Sequence, residues 1–223
     1  MNYLIANWKA NDNLEFAKNW FTLWNKNPAF NNLAAIVCSS FPVLSFVASQ
    51  RSVICGAQDV SLFSGGSHTG EVTASDLALF AKYCLVGHSE RRKEMRETIE
   101  DVRSKMENLI QVAIIPILCF EEVEDLKVVK GLISKSILVY EPSENISSGG
   151  QFKEVDFNAL YETVSDIKSR YGSNISLLYG GSVNIKNVLQ VANLNVFNGV
   201  LVGKASLEPL EFYQIGKIWA QKA

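Results

Sequence analysis

The sequence predicts an α/β chain folded as a closed (β/α)8 barrel, with eight parallel strands in a single domain over residues 1–223, and three observations predict it. Apolar runs of strand length alternate with amphipathic segments from one end to the other. No Pro/Gly/Ser-rich linker or low-complexity tract interrupts them, and 48% hydrophobic content in 223 residues suffices to bury one large core. Polar and charged residues gather where the strand runs end, which is where such a barrel keeps its chemistry.

The elements follow in order. Tyr3–Asn7 reads as a first strand and Asn13–Asn25 as its helix; Ala34–Cys38 is followed by Pro42–Gln50, and Val53–Ala57 by Ser75–Ala81. Tyr83–Gly87 precedes Thr98–Val112, Ile114–Cys119 precedes Glu121–Lys130, and Ile137–Tyr140 precedes Val155–Tyr171. Ile175–Tyr179 with Asn184–Ala192, and Val200–Gly203 with Ser206–Gln221, complete the series. Eight consecutive strand-then-helix units imply right-handed crossovers between parallel strands, which close into a barrel. A doubly wound open sheet is the alternative. Against it, the first strand leads into Asn7-Trp8-Lys9, and neither G-x-G-x-x-G nor a Walker pattern occurs.

Composition narrows the function. A net charge of −2 and a pI near 5.8 supply no basic field for nucleic acid or an anionic membrane. The longest apolar run, Val112–Phe120, is too short to span a bilayer, and MNYLIANWKA lacks a cationic flank and a cleavage site, so a cytoplasmic protein is expected. Cys38, Cys55, Cys84 and Cys119 each lie in a separate apolar run, as reduced core thiols do. Two histidines and scattered thiols make no metal-ligand set.

The strand ends carry Asn7 and Lys9, Gln58 and Asp59, His88 and Glu90, Glu141, Tyr179-Gly180-Gly181-Ser182, and Gly203-Lys204. Taken alone, Glu141 is a solvated strand end, Lys9 a surface lysine, His88 a structural histidine and the Gly-Gly pair an ordinary turn. In a barrel they share one rim, so an amine, an imidazole and a carboxylate from the first, fourth and sixth strands converge. Two glycine-bearing turns after the last two strands favour phosphate binding by backbone N–H groups.

Eight stretches in this order, IANWK (5 to 9), GAQDVS (56 to 61), HTGEVT (68 to 73), VGHSERR (86 to 92), PILC (116 to 119), VYEP (139 to 142), YGGSV (179 to 183) and GVLVGKASL (199 to 207), resemble the triosephosphate isomerase family nearly end to end. The resemblance implies a TIM barrel that interconverts dihydroxyacetone phosphate and glyceraldehyde 3-phosphate without a cofactor or metal. It places Glu141 as base, His88 as electrophile, Lys9 and Asn7 against the substrate oxygens, and Glu90 either in the chemistry or as the partner of Lys9 or an arginine. A helical turn opening at Ser89 would favour a neutral His88 ring. Phosphate contacts are implied for Ser147, Gly180, Gly181, Ser182, Gly203 and Lys204, with Tyr179 and Ser182 as latch residues. A homodimer is also implied. The long loop from Ser61 to Glu71 would carry His68, Thr69, Gly70 and Glu71 to the partner, near its Asn7 and Lys9. The alternatives are another phosphosugar isomerase, or a catalytically silent barrel that binds phosphate.

The sequence also departs from the family. After Glu141-Pro142 the family's lid reads close to V-W-A-I-G-T-G-K, whereas here it is Ser143, Glu144, Asn145, Ile146, Ser147, Ser148, Gly149 and Gly150. The C-x-G-E motif becomes Cys119-Phe120-Glu121-Glu122, and the segment from there to Ser136 is short. Lys204 stands where a second glycine is usual, which implies either backbone strain or an added positive charge beside the phosphate.

Overall fold

In the computed structural model, which describes residues 1–142 and 156–222, eight parallel strands close into a barrel in chain order. They are β1 (Asn2–Asn7), β2 (Leu33–Ser39), β3 (Ile54–Ala57), β4 (Tyr83–Val86), β5 (Ile115–Phe120), β6 (Ile137–Tyr140), β7 (Ser176–Tyr179) and β8 (Gly199–Val202). Closure rests on β8 pairing with β1, Tyr3 lying opposite Gly199 and Ala6 opposite Val202.

Side chains alternate across a strand, so each strand feeds two layers of core. Ile5, Ile36, Leu85, Ile117, Val139 and Leu178 fill the barrel interior. Their neighbours Leu4, Ala6, Val37, Leu118, Leu138 and Tyr179 face outward, into the layer shared with the helices. Each such side chain contributes roughly 1.5–3 kcal/mol when fully buried. One more step of the inward series beyond Ile5, Val139, Leu178 and Leu201 brings Asn7, Glu141, Gly180 and Gly203 to the inner rim, where all four line one cavity. The apolar periodicity that builds the core thereby also aims the site.

The helices are α1 (Leu14–Trp24), α2 (Phe41–Ala48), α3 (Ala74–Leu77), α4 (Ser89–Glu94), α5 (Ile99–Gln111), α6 (Asp125–Val128), α7 (Phe157–Tyr171), α8 (Val188–Asn193) and α9 (Pro209–Ala220). Asn13 caps α1 by accepting from the Phe16 N–H, and reciprocal capping boxes start α3 at Thr73/Asp76 and α5 at Thr98/Asp101. Four expected helices are clearly shorter than their patterns, among them Asn184–Ala192, which contracts to α8. Ser75–Ala81 contracts to α3, and Glu121–Lys130 contracts to α6 followed by a 3₁₀ turn over Lys130–Lys135. The segment expected as Ser206–Gln221 begins at Pro209, which has no N–H to donate and suits a first turn; the residues before it form a separate 3₁₀ turn, Lys204–Leu207. Among the described residues, no helix is long and apolar enough to cross a membrane.

Candidate active site

At the end of β4 the chain turns through Gly87 at φ +70°, and a Cβ there would stand 3.0 Å from the Cys119 carbonyl oxygen. Only glycine takes that turn without strain, and it ends the strand one residue before the apolar run does. His88 follows as the N-cap of α4, with its Nδ1 accepting from the Glu90 N–H at 3.3 Å. An accepting Nδ1 requires that a neutral ring carry its proton on Nε2. Burial and the neighbouring Lys9 ammonium lower the His88 pKa to about 4, with Glu90 pulling weakly the other way, so the ring is neutral near pH 7.

The Nε2 atom lies 3.6 Å from Glu141 Oε1. Glu141 is only 3% exposed, and desolvation raises its pKa to about 7 against the opposing influence of Lys9 and of hydrogen bonds from the Ser89 backbone and side chain. Its Oε2 has no hydrogen-bond partner among the described residues. A carboxylate in this state is poised to exchange a proton near neutral pH. Gly180, on the neighbouring strand end, leaves room for it: a Cβ at that position would lie 2.7 Å from Glu141 Cγ and 2.6 Å from Val139 Cγ1.

Lys9 sits in a 3₁₀ turn with φ +53°, rare for a residue with a side chain. The strained backbone is held from both sides. Its N–H donates to Asn7 Oδ1 at 3.1 Å, and its carbonyl accepts from Gln58 Nε2 at 2.9 Å, which also donates to the Cys38 carbonyl. The ammonium pairs with Glu90 Oε1 at 2.5 Å. Of the two roles open to Glu90, the structure displays restraint of Lys9.

Asn7, Lys9, His88, Glu90 and Glu141 line a cavity of about 630 Å³ whose far side is formed by Ser182, Gly203 and Lys204. The loop carrying Ser182 is braced by Asn184 and Asn187, whose side-chain amides both donate to the Ser182 carbonyl. Three of the expected residues are placed as follows. The Gly180 N–H donates to the Tyr140 carbonyl at 2.9 Å, so the barrel ladder uses it and an anion cannot. Gly181 is buried and does not line the cavity. Tyr179 is fully buried in the outer layer, with its ring 5.6 Å from that of Phe197. That follows from strand alternation, since Leu178 before it points inward. Lys204 is exposed and its φ is not positive, so the strain expected there is absent. Pro142 follows the base directly, whereas Ser143 to Gly150, including Ser147, lie outside the described residues.

A second cavity of about 310 Å³ shares Asn7, Lys9, His88 and Glu90 with the first and continues to Gln58, Asp59 and Arg91. The loop from Ser61 to Glu71 projects separately and is internally braced. Ser61 Oγ donates to Glu71 Oε2 at 2.5 Å, and the Phe63 and His68 rings stack at 3.5 Å. Thr69, at its tip, is exposed, and Gly70 takes φ +91°. Sequence reasoning assigned no role to Ser89 or Gln58. The S in VGHSERR and the Q in GAQDVS were the available signals, but which rim neighbour each one touches depends on the closed barrel.

Comparison with known proteins agrees with this geometry. A family model described as triosephosphate isomerase matches residues 2–219. A triosephosphate isomerase of Mesomycoplasma hyorhinis is 32% identical over 236 residues, covering 95% of this chain and 96% of its own. Its counterpart in Thermus thermophilus is 33% identical over 244 residues, covering 96% and 97%, and that of Mycoplasma genitalium 30% identical over 240, covering 98% of each. With the family model spanning the barrel from its first strand to its last helix, the chain belongs to the triosephosphate isomerase family.

Proposed function

We propose that this chain interconverts dihydroxyacetone phosphate and glyceraldehyde 3-phosphate by moving a proton between adjacent carbons through an enediolate. Glu141 removes the proton from the carbon beside the carbonyl and returns it to the neighbouring carbon. The His88 Nε2–H donates to the carbonyl oxygen as negative charge develops on it, and a neutral ring suits that task; this family is itself the standard example of such a histidine. Lys9, steadied by Glu90 and backed by Asn7, supplies positive charge to the same oxygens. Ser182, Gly203 and Lys204 face the phosphate; the lid expected over Ser143 to Gly150 lies outside the described residues. Such a reaction calls for a base, an electrophile and an anion site, and needs no cofactor.

The observation that carries the reading is a buried carboxylate 3.6 Å from the protonated nitrogen of a neutral histidine, with a lysine at the same cavity. A site that only bound phosphate would have no use for the first two. The test is conversion of glyceraldehyde 3-phosphate by the wild-type chain in a coupled assay, with Glu141→Gln as control. No turnover by the wild-type chain, or equal turnover by both, would overturn the assignment.

The braced loop of Ser61 to Glu71 and the open cavity beside Lys9 support a two-fold homodimer in which Thr69 reaches the partner's cavity. The expected result is a dimer by light scattering at micromolar concentration, and a fully active monomer would refute it. The site's phosphorylated triose substrate and its buried free thiols are consistent with a cytoplasmic protein.

A further inference from the structure

Helix α4 has an unusual task for its composition. Its residues, SERRKE, include no apolar side chain, yet its first turn donates the Glu90 N–H to His88 Nδ1 and places Ser89 against Glu141. Ser89 is its only buried residue. With no apolar stripe to seat it, the helix is held through charges: Arg92 pairs with Asp125 at 2.8 Å, Lys93 with Glu121 at 3.2 Å, and the half-buried Arg91 enters a cluster built on the buried Lys105.

That cluster is a closed ring. Arg91 Nη2 reaches Asp59 Oδ2 at 3.0 Å and its Nε reaches Glu97 Oε1 at 2.6 Å. The Lys105 ammonium bridges the same two carboxylates, at 2.6 Å from Asp59 and in direct contact with Glu97. Lys105 is 3% exposed, as buried as Glu141 itself. The ring joins the end of β3, α4, the α4–α5 connection and α5, and its two cations balance its two carboxylates. Buried ion pairs rarely add net stability over apolar packing, because desolvation consumes most of the Coulombic gain. What they do impose is geometry, since each charge must keep its partners.

We propose that the Asp59–Arg91–Glu97–Lys105 ring is a positioning device that fixes α4, and through it His88 and Ser89, relative to Glu141. The inference rests on the isomerase reading above for the consequence it predicts in turnover. Arg91 is the member that touches α4, and Lys105, from α5, sets where Arg91's two acceptors stand. Because Asp59 and Arg91 also line the cavity beside Lys9, an occupant of that cavity would act on the ring directly. Among the described residues, the other ionisable groups near it are the buried Cys84 thiol, Asp101 on α5 and, across the shared cavity, the Lys9–Glu90 pair.

Two charge-balanced double variants separate position from stability. Asp59→Asn/Lys105→Met leaves the Arg91–Glu97 pair, which still ties α4 down. Asp59→Asn/Arg91→Met leaves the Lys105–Glu97 pair, which does not. We expect the first to keep kcat within about 3-fold of wild type and the second to lose about 10-fold or more with little change in KM, at similar Tm, as expected for a misplaced catalytic group. The His88 ring, one of two histidines and therefore easily followed by NMR, should lose its accepting Nδ1 and titrate closer to an ordinary histidine in the second variant only. Equal kcat and equal His88 titration in the two variants would overturn the proposal. If the second variant does not fold, Arg91→Lys, which keeps the charge but gives up the two-carboxylate fork, is expected to show the same His88 change; an unchanged ring there would also overturn it. Failure of the isomerase reading is distinguishable, since the wild-type chain would then not turn over triose phosphate while the His88 measurement would remain decisive for the ring.

Discussion

Gly180→Ala tests the proposed base with a single methyl group. Gly180 does not occupy the left-handed region, so the substitution adds volume without backbone strain. The new Cβ would lie 2.6 Å from Val139 Cγ1, 2.7 Å from Glu141 Cγ and 3.2 Å from Glu141 Oε1. Carbon atoms rest about 3.5–4.0 Å apart, so one of these neighbours must retreat by about 1 Å. Val139 is fully buried inside the barrel and cannot move far, whereas the Glu141 side chain opens onto the cavity. Displacing the base by about 1 Å is expected to cost on the order of 10²-fold in kcat, or about 2.7 kcal/mol of barrier. Overpacking should also cost about 1–3 kcal/mol of stability. KM should stay close to wild type, because the Gly180 N–H is bonded to Tyr140 and offers nothing to the phosphate. The assay is steady-state isomerisation with kcat and KM measured separately, at a temperature where circular dichroism shows the variant folded. A kcat within 3-fold of wild type, or a rise in KM at unchanged kcat, would refute the steric argument that Gly180 makes room for the base.

Other expectations follow from the same geometry. Glu141→Asp withdraws the carboxylate by about 1 Å and should lower kcat by about 10²-fold, and near-normal turnover would remove Glu141 from the role of base. Since the folded pKa of Glu141 is raised to about 7, the folded chain binds more protons than the unfolded chain between the ordinary carboxylate range and pH 7. This residue's contribution to stability therefore falls as pH rises through that window and is flat above it; denaturant titrations of Glu141→Gln should lack the slope. His88 has the opposite sign: its pKa is lowered to about 4, so its contribution is present above its ordinary value of 6.5 and is lost as pH falls toward 4. kcat/KM should show an acid limb near pH 7 from the free enzyme's base, and an unbroken plateau down to pH 5 would contradict the raised pKa. Lys204→Gly should raise KM in a salt-sensitive way with little change in kcat, whereas tighter binding would mean that the ammonium points away from the phosphate.

The fold class was legible from the sequence because burial in a parallel barrel leaves a local trace: eight apolar runs, each followed by a helical pattern. The rim residues were legible for the same reason, since Asn7, Glu141 and Gly203 stand at the ends of those runs. Helix ends were less so. Pro209 outweighed the apolar pattern around it, because a residue with no N–H to donate suits a first turn and sets where the helix starts. What only the tertiary structure decided is which groups meet. The engagement of the Gly180 N–H by Tyr140, the outward ring of Tyr179 and the ring of charges that seats α4 all depend on register between strands distant in sequence. So do the two pKa values that make the site reactive, because desolvation of Glu141 and His88 is a property of the closed barrel and not of either residue's neighbours in the chain.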